Sequence, residues 1–253
     1  MEPATTHVQQ DSLLDNLAIV LVRPKIPENI GATARIAYNM GINTLLLVKE
    51  SAPPREPMAK MATHKAAHLI DDITCFPTLA EALEDYNIVI GTTARRGRQR
   101  FVHQTPREMV TKLIPMLQGN RAAIVFGPED TGLTNDDLKH CHMRSAIPTA
   151  DFSSLNLAQA VAIHCYELYH GIIHAPKDMA PSPTLATSFE LESMYSYMEE
   201  SLLKIDFMEE SGRHHWMGNI RHFLARLKLT SKDANIVRGV CKKFLQHRES
   251  TVK

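Results

Sequence analysis

The chain has 253 residues, enough for one large domain or for a domain with an appendage. Lys plus Arg and Asp plus Glu both number 28, so the formal net charge is zero, and any nucleic-acid site has to be a local patch. A composition of 44% hydrophobic and 22% charged residues excludes wholesale disorder and allows a sizeable core.

The four cysteines lie far apart without a C-x-x-C pair, and the histidines share no ligand spacing. These patterns argue against a disulfide framework and against a metal site. The first 16 residues are polar and acidic, and we expect them to be flexible. The longest wholly apolar run, at 17–22, is too short to span a bilayer, so we expect a cytoplasmic protein without a membrane anchor.

Short apolar runs rich in β-branched residues predict buried strands, and amphipathic segments predict helices between them. The predicted strands are 17–22, 44–48, 73–76, 87–91, 122–126 and 144–147. Helices are expected after Asn29, around 60–69, from 79 to about 86, from 106 to about 117, briefly after Thr134, and from Ser153 or Ser154 to Gly171. The alternation predicts an α/β fold with a parallel sheet and helices on both faces.

Cap residues set the predicted helix ends. Asn29 is placed to begin the first helix and Gly41 to end it. Thr78 with Glu81 and Thr105 with Glu108 form predicted capping boxes.

A Pro-rich stretch at 174–186 reads as a linker, and only helical patterns follow it. We therefore predict a domain at 17–173 and a helical extension at 187–253. Ligands of parallel sheets bind beyond the carboxyl ends of the strands. The loops at 24–29, 92–100, 127–132 and 148–154 are thus the expected site.

The loop from Gly127 to Gly132 has the two-glycine spacing of a phosphate loop, but Leu133 stands where a P-loop has lysine. No G-x-G-x-x-G fingerprint follows a strand either, and its absence argues against an enzyme that uses a nicotinamide cofactor. A plain turn explains the glycines equally well. Glu129, between them, is placed to accept hydrogen bonds from a ligand or from neighbouring loops.

Two further polar segments lie at this edge. Residues 151–156 put hydroxyls and an amide at a helix N-terminus, where simple capping is the alternative role. The second segment is a dense cationic loop, which favours phosphate contact over a merely solvated loop because arginine binds phosphate oxygens bidentately. Its arginines are Arg95, Arg96, Arg98 and Arg100.

Three segments resemble the motifs of the SpoU, or SPOUT, class of RNA ribose 2′-O-methyltransferases, in order and in spacing. They are PENIGATAR at 27–35, IVFGPEDTGLTNDDL at 124–138 and FSSLNLAQAV at 152–161. In the tail, IDFMEESGRHHWMGNIRHFLARL and ANIVRGV resemble the C-terminal extension of TrmJ-type tRNA methyltransferases.

The resemblance implies an α/β domain whose C-terminal third forms a trefoil knot around S-adenosylmethionine. It places the cofactor on Thr92, Thr93, Ala94, Gly127, Ile147, Ser153, Ser154 and Leu155, and the catalytic positions on Asn29, Arg35, Glu129, Ser154 and Asn156. It also implies a homodimer, with Asn29 and Arg35 near the subunit boundary. The RNA would be held by Arg35, by the arginine loop and by the tail.

The implied reaction is methylation of a ribose 2′-hydroxyl in tRNA, at the pyrimidine nucleotide that begins the anticodon loop. A ribosomal RNA 2′-O-methyltransferase, a nonenzymatic RNA-binding module and a generic nucleotide-binding protein are the alternatives. Arginine stays protonated and only donates, so we expect Arg35 to grip a phosphate and to stabilise the developing alkoxide. The proton acceptor is then Ser154, a water or the phosphate.

Overall fold

The computed structural model describes residues 13–94, 104–176 and 178–251, with side chains as far as Gln246. The chain forms two compact units that divide between Ser182 and Pro183.

The first unit is built on a six-stranded, wholly parallel sheet with the strand order β3-β2-β1-β5-β4-β6. The strands are β1 (Leu17–Val22), β2 (Thr44–Val48), β3 (Thr74–Phe76), β4 (Ile88–Thr92), β5 (Ala122–Phe126) and β6 (Met143–Ser145). The predicted α/β class and parallel sheet are confirmed.

Helices separate the strands. They are α1 (Pro27–Asn39), α2 (Arg55–Asp71), α3 (Leu79–Leu83), α4 (Pro106–Leu113), α5 (Asn135–Leu138) and α6 (Leu157–Ile173). A 3₁₀ turn, Ile114–Met116, extends α4. Helix α1 packs against α2 and α6, and α6 also packs against α4.

The sheet is centred on β1 and β5, whose residues are all buried. Ile19 of β1 pairs with Leu45 of β2 on one side and with Ile124 of β5 on the other. Continuous apolar runs are what strands covered on both faces require, which explains why these two strands could be located in the sequence.

The strand order reverses between β1 and β5. From β1 the chain proceeds outward to β2 and β3, and the later strands build the other half of the sheet. Open parallel sheets bind ligands at such a reversal, beyond the carboxyl ends of the strands. The loops after β1 and β5 meet at this point.

Two predicted helix starts are wrong. Helix α1 begins at Pro27 with Ile26 as its N-cap residue, so Asn29 lies in the first turn, free of any capping role. Proline suits the first helical position because its missing N–H is not needed there. Helix α6 begins after Asn156, whose side chain accepts from the N–H groups of Ala158 and Gln159, so neither Ser153 nor Ser154 opens it.

Among the other predicted helix boundaries, some lie a few residues from their predicted positions and others lie where they were predicted. Gly171 was expected to end α6 but lies inside it, where a Cβ would meet Val110 at 2.5 Å. The predicted caps at Thr78, Thr105 and Thr134 are present. Gly41 follows α1 with a φ of +69°, as a helix-ending glycine does.

Gly31, a residue of the PENIGATAR motif, permits α1 and α2 to touch. A Cβ at this position would lie 2.0 Å from the carbonyl oxygen of Met58. Only glycine therefore allows the two backbones to approach this closely.

The second unit consists of α7 (Ser188–Lys204), α8 (Arg213–Ala225) and α9 (Ser231–Thr251). Thr187 begins α7 with a capping box. The core contains residues from all three helices, among them Met194, Met217 and Ala234. Between residues 183 and 251 the structure has no strand beyond an isolated bridge that joins Leu185 to Thr230.

Candidate functional site

Glu129 lies in the loop after β5 and holds the loop after β1. Its Oε2 atom accepts from the backbone N–H of Lys25 at 3.0 Å, and its Oε1 atom accepts from the N–H of Ile26 at 3.3 Å. The Nδ2 atom of Asn29 also donates to Oε1, at 2.7 Å. One carboxylate thus fixes the path of residues 25–29 across the reversal in strand order.

Asn29 continues this network to the third motif. Its Oδ1 atom accepts from Nδ2 of Asn156 at 3.0 Å, while Oδ1 of Asn156 caps α6. The chain of hydrogen bonds therefore runs from Glu129 through Asn29 and Asn156 into the helix. Asn29 is buried, which makes these partners energetically important.

The network keeps Glu129 ionised. Burial acts to raise the pKa of its carboxyl, but the hydrogen bonds from Asn29, Lys25 and Ile26 outweigh it and hold the pKa below its ordinary value. A carboxylate with a lowered pKa and three donors is a poor proton acceptor. The arrangement suits Glu129 for positioning the loop.

Two ion pairs tie the same two segments together. Lys25 Nζ lies 2.6 Å from Asp130 Oδ2, and Arg23 contacts Asp137 at 2.6 Å. Burial acts to raise the pKa of Asp137, and the hydrogen bonds from Arg23 and Thr134 lower it overall. No local sequence pattern predicts these pairs, because their partners are more than 100 residues apart in the chain.

A second group of contacts joins β4, β6 and α6. The N–H of Thr93 donates to the carbonyl of Ser145 at 2.9 Å. The hydroxyl of Ser145 lies 2.9 Å from Nε2 of His164, and Nδ1 of His164 lies 2.8 Å from the carbonyl of Ala160. Because a carbonyl only accepts, Nδ1 carries the proton and Nε2 accepts from Ser145.

His164 is neutral in this setting. Burial lowers its pKa to about 4, and the ring packs edge-on against Phe126 with centroids 5.3 Å apart. The sequence analysis missed both Ser145 and His164. Their link fixes the end of β6 to α6 close to the loops after β4 and β6.

The glycine loop itself is a tight turn. A Cβ on Gly127 would lie 2.3 Å from the backbone of Gly132 and Leu133, and Gly132 has a φ of +65°. Both glycines are therefore required by the fold of the loop, which is the plain alternative that the sequence left open.

The expected cofactor residues follow adjacent strands, since β4 lies between β5 and β6. Thr92 donates its hydroxyl to the carbonyl of Val125 at 2.9 Å. Ile147 and Leu155 are half-buried, whereas Ala94, Ser153 and Ser154 are exposed. The loops after β4, β5 and β6 thus offer main-chain groups and a partly apolar wall.

The structure does not bring every predicted residue together. Arg35 projects from the exposed side of α1, and within the described residues its guanidinium has no ion pair or hydrogen bond. Ser154 likewise stands outside the network that joins Glu129 to Asn156. Arg95, Arg96, Arg98 and Arg100 lie outside the described residues.

The part of the chain that the structure describes contains no evident cluster of metal ligands. No group of three or more His, Cys, Asp or Glu side chains there could hold an ion. The four cysteines are free thiols. A search of the described helices finds none that is long and apolar enough to cross a membrane.

Comparison with known proteins matches both parts of the chain. Residues 16–166 match the SpoU rRNA Methylase family, and residues 189–252 match the TrmJ tRNA methyltransferase C-terminal domain. The chain belongs to the SpoU methylase family and carries a TrmJ-type C-terminal domain. The family expected from the three motifs and from the tail is confirmed, and with it a methyltransferase.

Relatives align over nearly the whole length. The tRNA (cytidine/uridine/adenosine-2′-O-)-methyltransferase TrmJ of Pseudomonas aeruginosa is 35% identical over 241 residues, covering 90% of this chain and 93% of that protein. The crystal structure of TrmJ from Z. mobilis ZM4 superposes with a TM-score of 0.77 at 31% identity, covering 89% of this chain and 97% of that protein. The uncharacterized tRNA/rRNA methyltransferase LasT of Escherichia coli is 41% identical over 158 residues, which are 60% of this chain and 67% of LasT.

Proposed function

We propose that this protein transfers a methyl group from S-adenosylmethionine to a ribose 2′-hydroxyl of tRNA, at the pyrimidine nucleotide that begins the anticodon loop. The observation that supports this best is the network Glu129–Asn29–Asn156. It connects the polar residues of three separate family motifs at the carboxyl edge of the sheet. The likeness to TrmJ enzymes over both units supports tRNA as the substrate.

The residues at the edge of β4, β5 and β6 fit the cofactor. The starts of the three loops lie side by side, about 5 Å apart from strand to strand. Gly127, Thr93 and Ser153 to Leu155 present main-chain groups for a polar nucleoside, and Ile147 provides an apolar wall for its base. Bound there, S-adenosylmethionine supplies a methyl group already activated on a sulfonium.

The protein's own part is to align the ribose and to manage its proton. In the displacement an oxygen–carbon bond forms, a carbon–sulfur bond breaks and the hydroxyl proton leaves. Arg35 is exposed and charged, so it can bind the phosphate beside the target ribose and stabilise the developing alkoxide. The proton goes to Ser154, to a water or to that phosphate.

Asn29, Glu129 and Asn156 then act as positioning residues. Their polar atoms are engaged with one another and with the backbone, as the distances of 2.7 and 3.0 Å indicate. This assignment replaces a direct chemical role for the three. Amide oxygens do not take up protons at neutral pH, and the hydrogen bonds that lower the pKa of Glu129 make its carboxylate a weak base.

The path of the chain favours a trefoil knot in the last third of the first unit. After β6, at the edge of the sheet, residues 146–156 return towards α1, where Asn156 meets Asn29. On that course the segment passes the ends of β4 and β5. The trefoil knot that the family resemblance implies is therefore part of the proposal.

The proposal includes a homodimer, in which two identical chains associate. The outward side of α6 carries Ile163, Tyr166 and Ile173, each between 36% and 51% exposed, and Tyr38 of α1 is 41% exposed. Such a cluster of apolar side chains favours a partner surface. A second copy on this face places Arg35 near the subunit boundary, where one active site can use residues of both chains.

The test is transfer of labelled methyl from S-adenosylmethionine to total tRNA by the full chain, followed by nucleoside analysis. We expect label in a 2′-O-methylated pyrimidine nucleoside from the start of the anticodon loop. Label on a base, or no transfer at all, contradicts the proposal. The cytoplasmic location expected from the sequence stays a prediction.

The variant Arg35→Lys keeps the charge and loses the planar fork. We expect methylation to fall at least about tenfold, because charge-assisted bidentate bonds contribute on the order of 1.5–3 kcal/mol. Arg55→Lys is the matched control, since Arg55 is also an exposed helical arginine and pairs with Asp71 away from the site. Wild-type activity of Arg35→Lys contradicts the bidentate role.

Ribosomal RNA is the second candidate substrate, and the similarity to LasT, an uncharacterized protein named a tRNA/rRNA methyltransferase, favours keeping it. The TrmJ-type second unit argues for tRNA. Parallel assays with purified tRNA and ribosomal RNA separate the two candidates by the RNA that takes up the label.

A further inference from the structure

Helix α8 presents most of its surface to solvent. Met217 is its buried residue, with Ile220 and Leu224 partly covered by the core of the unit. The rest of the helix surface is composed of aromatic and basic side chains. Packing within the unit does not account for them.

Within residues 211–232 the charged side chains are of one sign, and the acidic residues nearest to them in the sequence are Glu209, Glu210 and Asp233. Residues 211–232 contain five Lys and Arg residues and three histidines, and no Asp or Glu. Arg213 and Arg221 are paired with Glu199 and Glu192 of α7. The other cations, Arg226, Lys228 and Lys232, have no ion pair within the described residues and present a positive field to solvent.

Aromatic rings lie beside these cations. Trp216 and Phe223 are 43% and 53% exposed and are separated by two helical turns, so they lie on one side of α8, about 10 Å apart. Phe207, 52% exposed, packs edge-on against Trp216 with ring centroids 5.2 Å apart. The guanidinium of Arg226 lies 5.6 Å from the centroid of the Phe223 ring.

We propose that this basic and aromatic surface of α8 binds unpaired nucleotides of the RNA, with Trp216 and Phe223 stacking on bases. The proposal rests on the proposed function and names the part of the substrate that the second unit holds. Cations attract the phosphates, and the ring faces accept bases of any sequence. Bases inside a duplex are already stacked, so the partner is a loop or another single-stranded segment.

Trp216 is the only tryptophan of the chain, so its fluorescence reports on this surface directly. Three RNAs are added to the full chain: a hairpin with unpaired loop nucleotides, a blunt duplex of equal charge, and the same hairpin with abasic loop nucleotides. We expect strong quenching by the first RNA and little by the other two. Equal quenching by the abasic hairpin, or a fluorescence change that follows protein concentration without RNA, overturns the proposal.

Variants separate the stacking from the reaction. Trp216→Leu and Phe223→Leu are each expected to raise the KM for tRNA about tenfold or more, the scale of one lost base–aromatic stack, with kcat unchanged. Trp216→Tyr keeps an aromatic face and restores most of the affinity. Phe189→Leu removes an aromatic ring of similar exposure outside α8 and is expected to behave as wild type.

The salt dependence distinguishes phosphate contacts from base contacts. Arg226→Gln lowers the slope of affinity against salt, whereas Trp216→Leu weakens binding without changing that slope. If both leucine variants retain the wild-type KM on tRNA that the enzyme methylates, the stacking role is wrong. Quenching by the hairpin without any methylation leaves the stacking role standing and contradicts the proposed function instead.

Discussion

Glu129 is bound by three donors, and its position explains why a carboxylate stands between two turn glycines. It receives the N–H groups of Lys25 and Ile26 and the amide of Asn29. The residue thereby connects a loop that precedes α1 with a loop about one hundred residues later. Its importance at the site follows from the shape that it imposes on residues 25–29.

Glu129→Gln tests this role. The substituted amide brings a donor towards the N–H groups of the loop, so we expect the free energy of unfolding to fall by about 1.5–3 kcal/mol, the scale of a hydrogen bond to a charged group. Urea denaturation at pH 7 measures it. Asp130→Asn is the matched control, because that neighbouring carboxylate is half exposed and its pair with Lys25 contributes little.

His164 makes stability depend on pH. Its folded pKa of about 4 lies below the ordinary value of 6.5, so the unfolded chain binds the proton more readily. The stability that neutral His164 provides is complete above about pH 6.5, decreases as the pH falls below that value, and is lost through about pH 4. The slope approaches about 1.4 kcal/mol per pH unit in this window.

Urea denaturation at pH 7 and pH 5 tests this dependence. The wild type is expected to lose stability on acidification, and His164→Gln to lose clearly less, since glutamine does not titrate. His64→Gln, at an exposed position of α2, serves as the control and should follow the wild type. Equal slopes for wild type and His164→Gln contradict the buried neutral histidine.

Some glycines are required by a close contact between two helices, and others are not. Gly31 has the Met58 carbonyl oxygen 2.0 Å from the place of a Cβ, whereas Gly218 of α8 has nothing within 4 Å. The first glycine thus maintains the contact of α1 with α2. The second only weakens its helix.

We expect Gly31→Ala to destabilise the first unit by about 3 kcal/mol or more, because backbone must shift to admit the methyl group. Gly218→Ala is the control and should stabilise the second unit by about 1 kcal/mol through helix propensity. Thermal unfolding monitored by circular dichroism reads out both changes. A neutral Gly31→Ala rules out the close contact of the two helices.

Partly exposed apolar side chains on α6 and α1 form the surface on which the proposed dimer depends. Ile163, Tyr166 and Ile173 are partly exposed on α6, and Tyr38, whose ring packs edge-on against His68, is partly exposed on the neighbouring helix α1. Burying such a face between two copies is favourable at roughly 25 cal/mol per Å² of apolar area. The proposed dimer therefore depends on this surface.

Tyr166→Glu puts a charge in the centre of the face and is expected to convert the dimer into a monomer at micromolar concentration. Sedimentation velocity measures the mass, and methylation of tRNA should fall with it if Arg35 acts at the subunit boundary. Ile205→Glu, at a position of similar exposure in the second unit, is the control. A wild-type protein that sediments as a monomer refutes the dimer.

Local sequence patterns were sufficient to predict the strands that are buried on both faces, the parallel α/β class and the caps at Thr105 and Thr134. Local patterns suffice for these features, because a continuous apolar run or a capping box depends on adjacent residues. Motif order and spacing also indicated the family. The starts of α1 and α6 were misplaced, since Asn29 and Asn156 suit several local roles equally well.

Contacts between distant segments of the chain select which of those roles each residue takes. The bonds from Asn29 to Glu129 and to Asn156 join positions that are 100 and 127 residues apart, and the pair Ser145–His164 depends on how α6 returns to the end of β6. Such contacts follow from strand order and packing. Local periodicity in a single sequence carries no information about such contacts. The sequence therefore indicated that Glu129 is important but did not identify its partners.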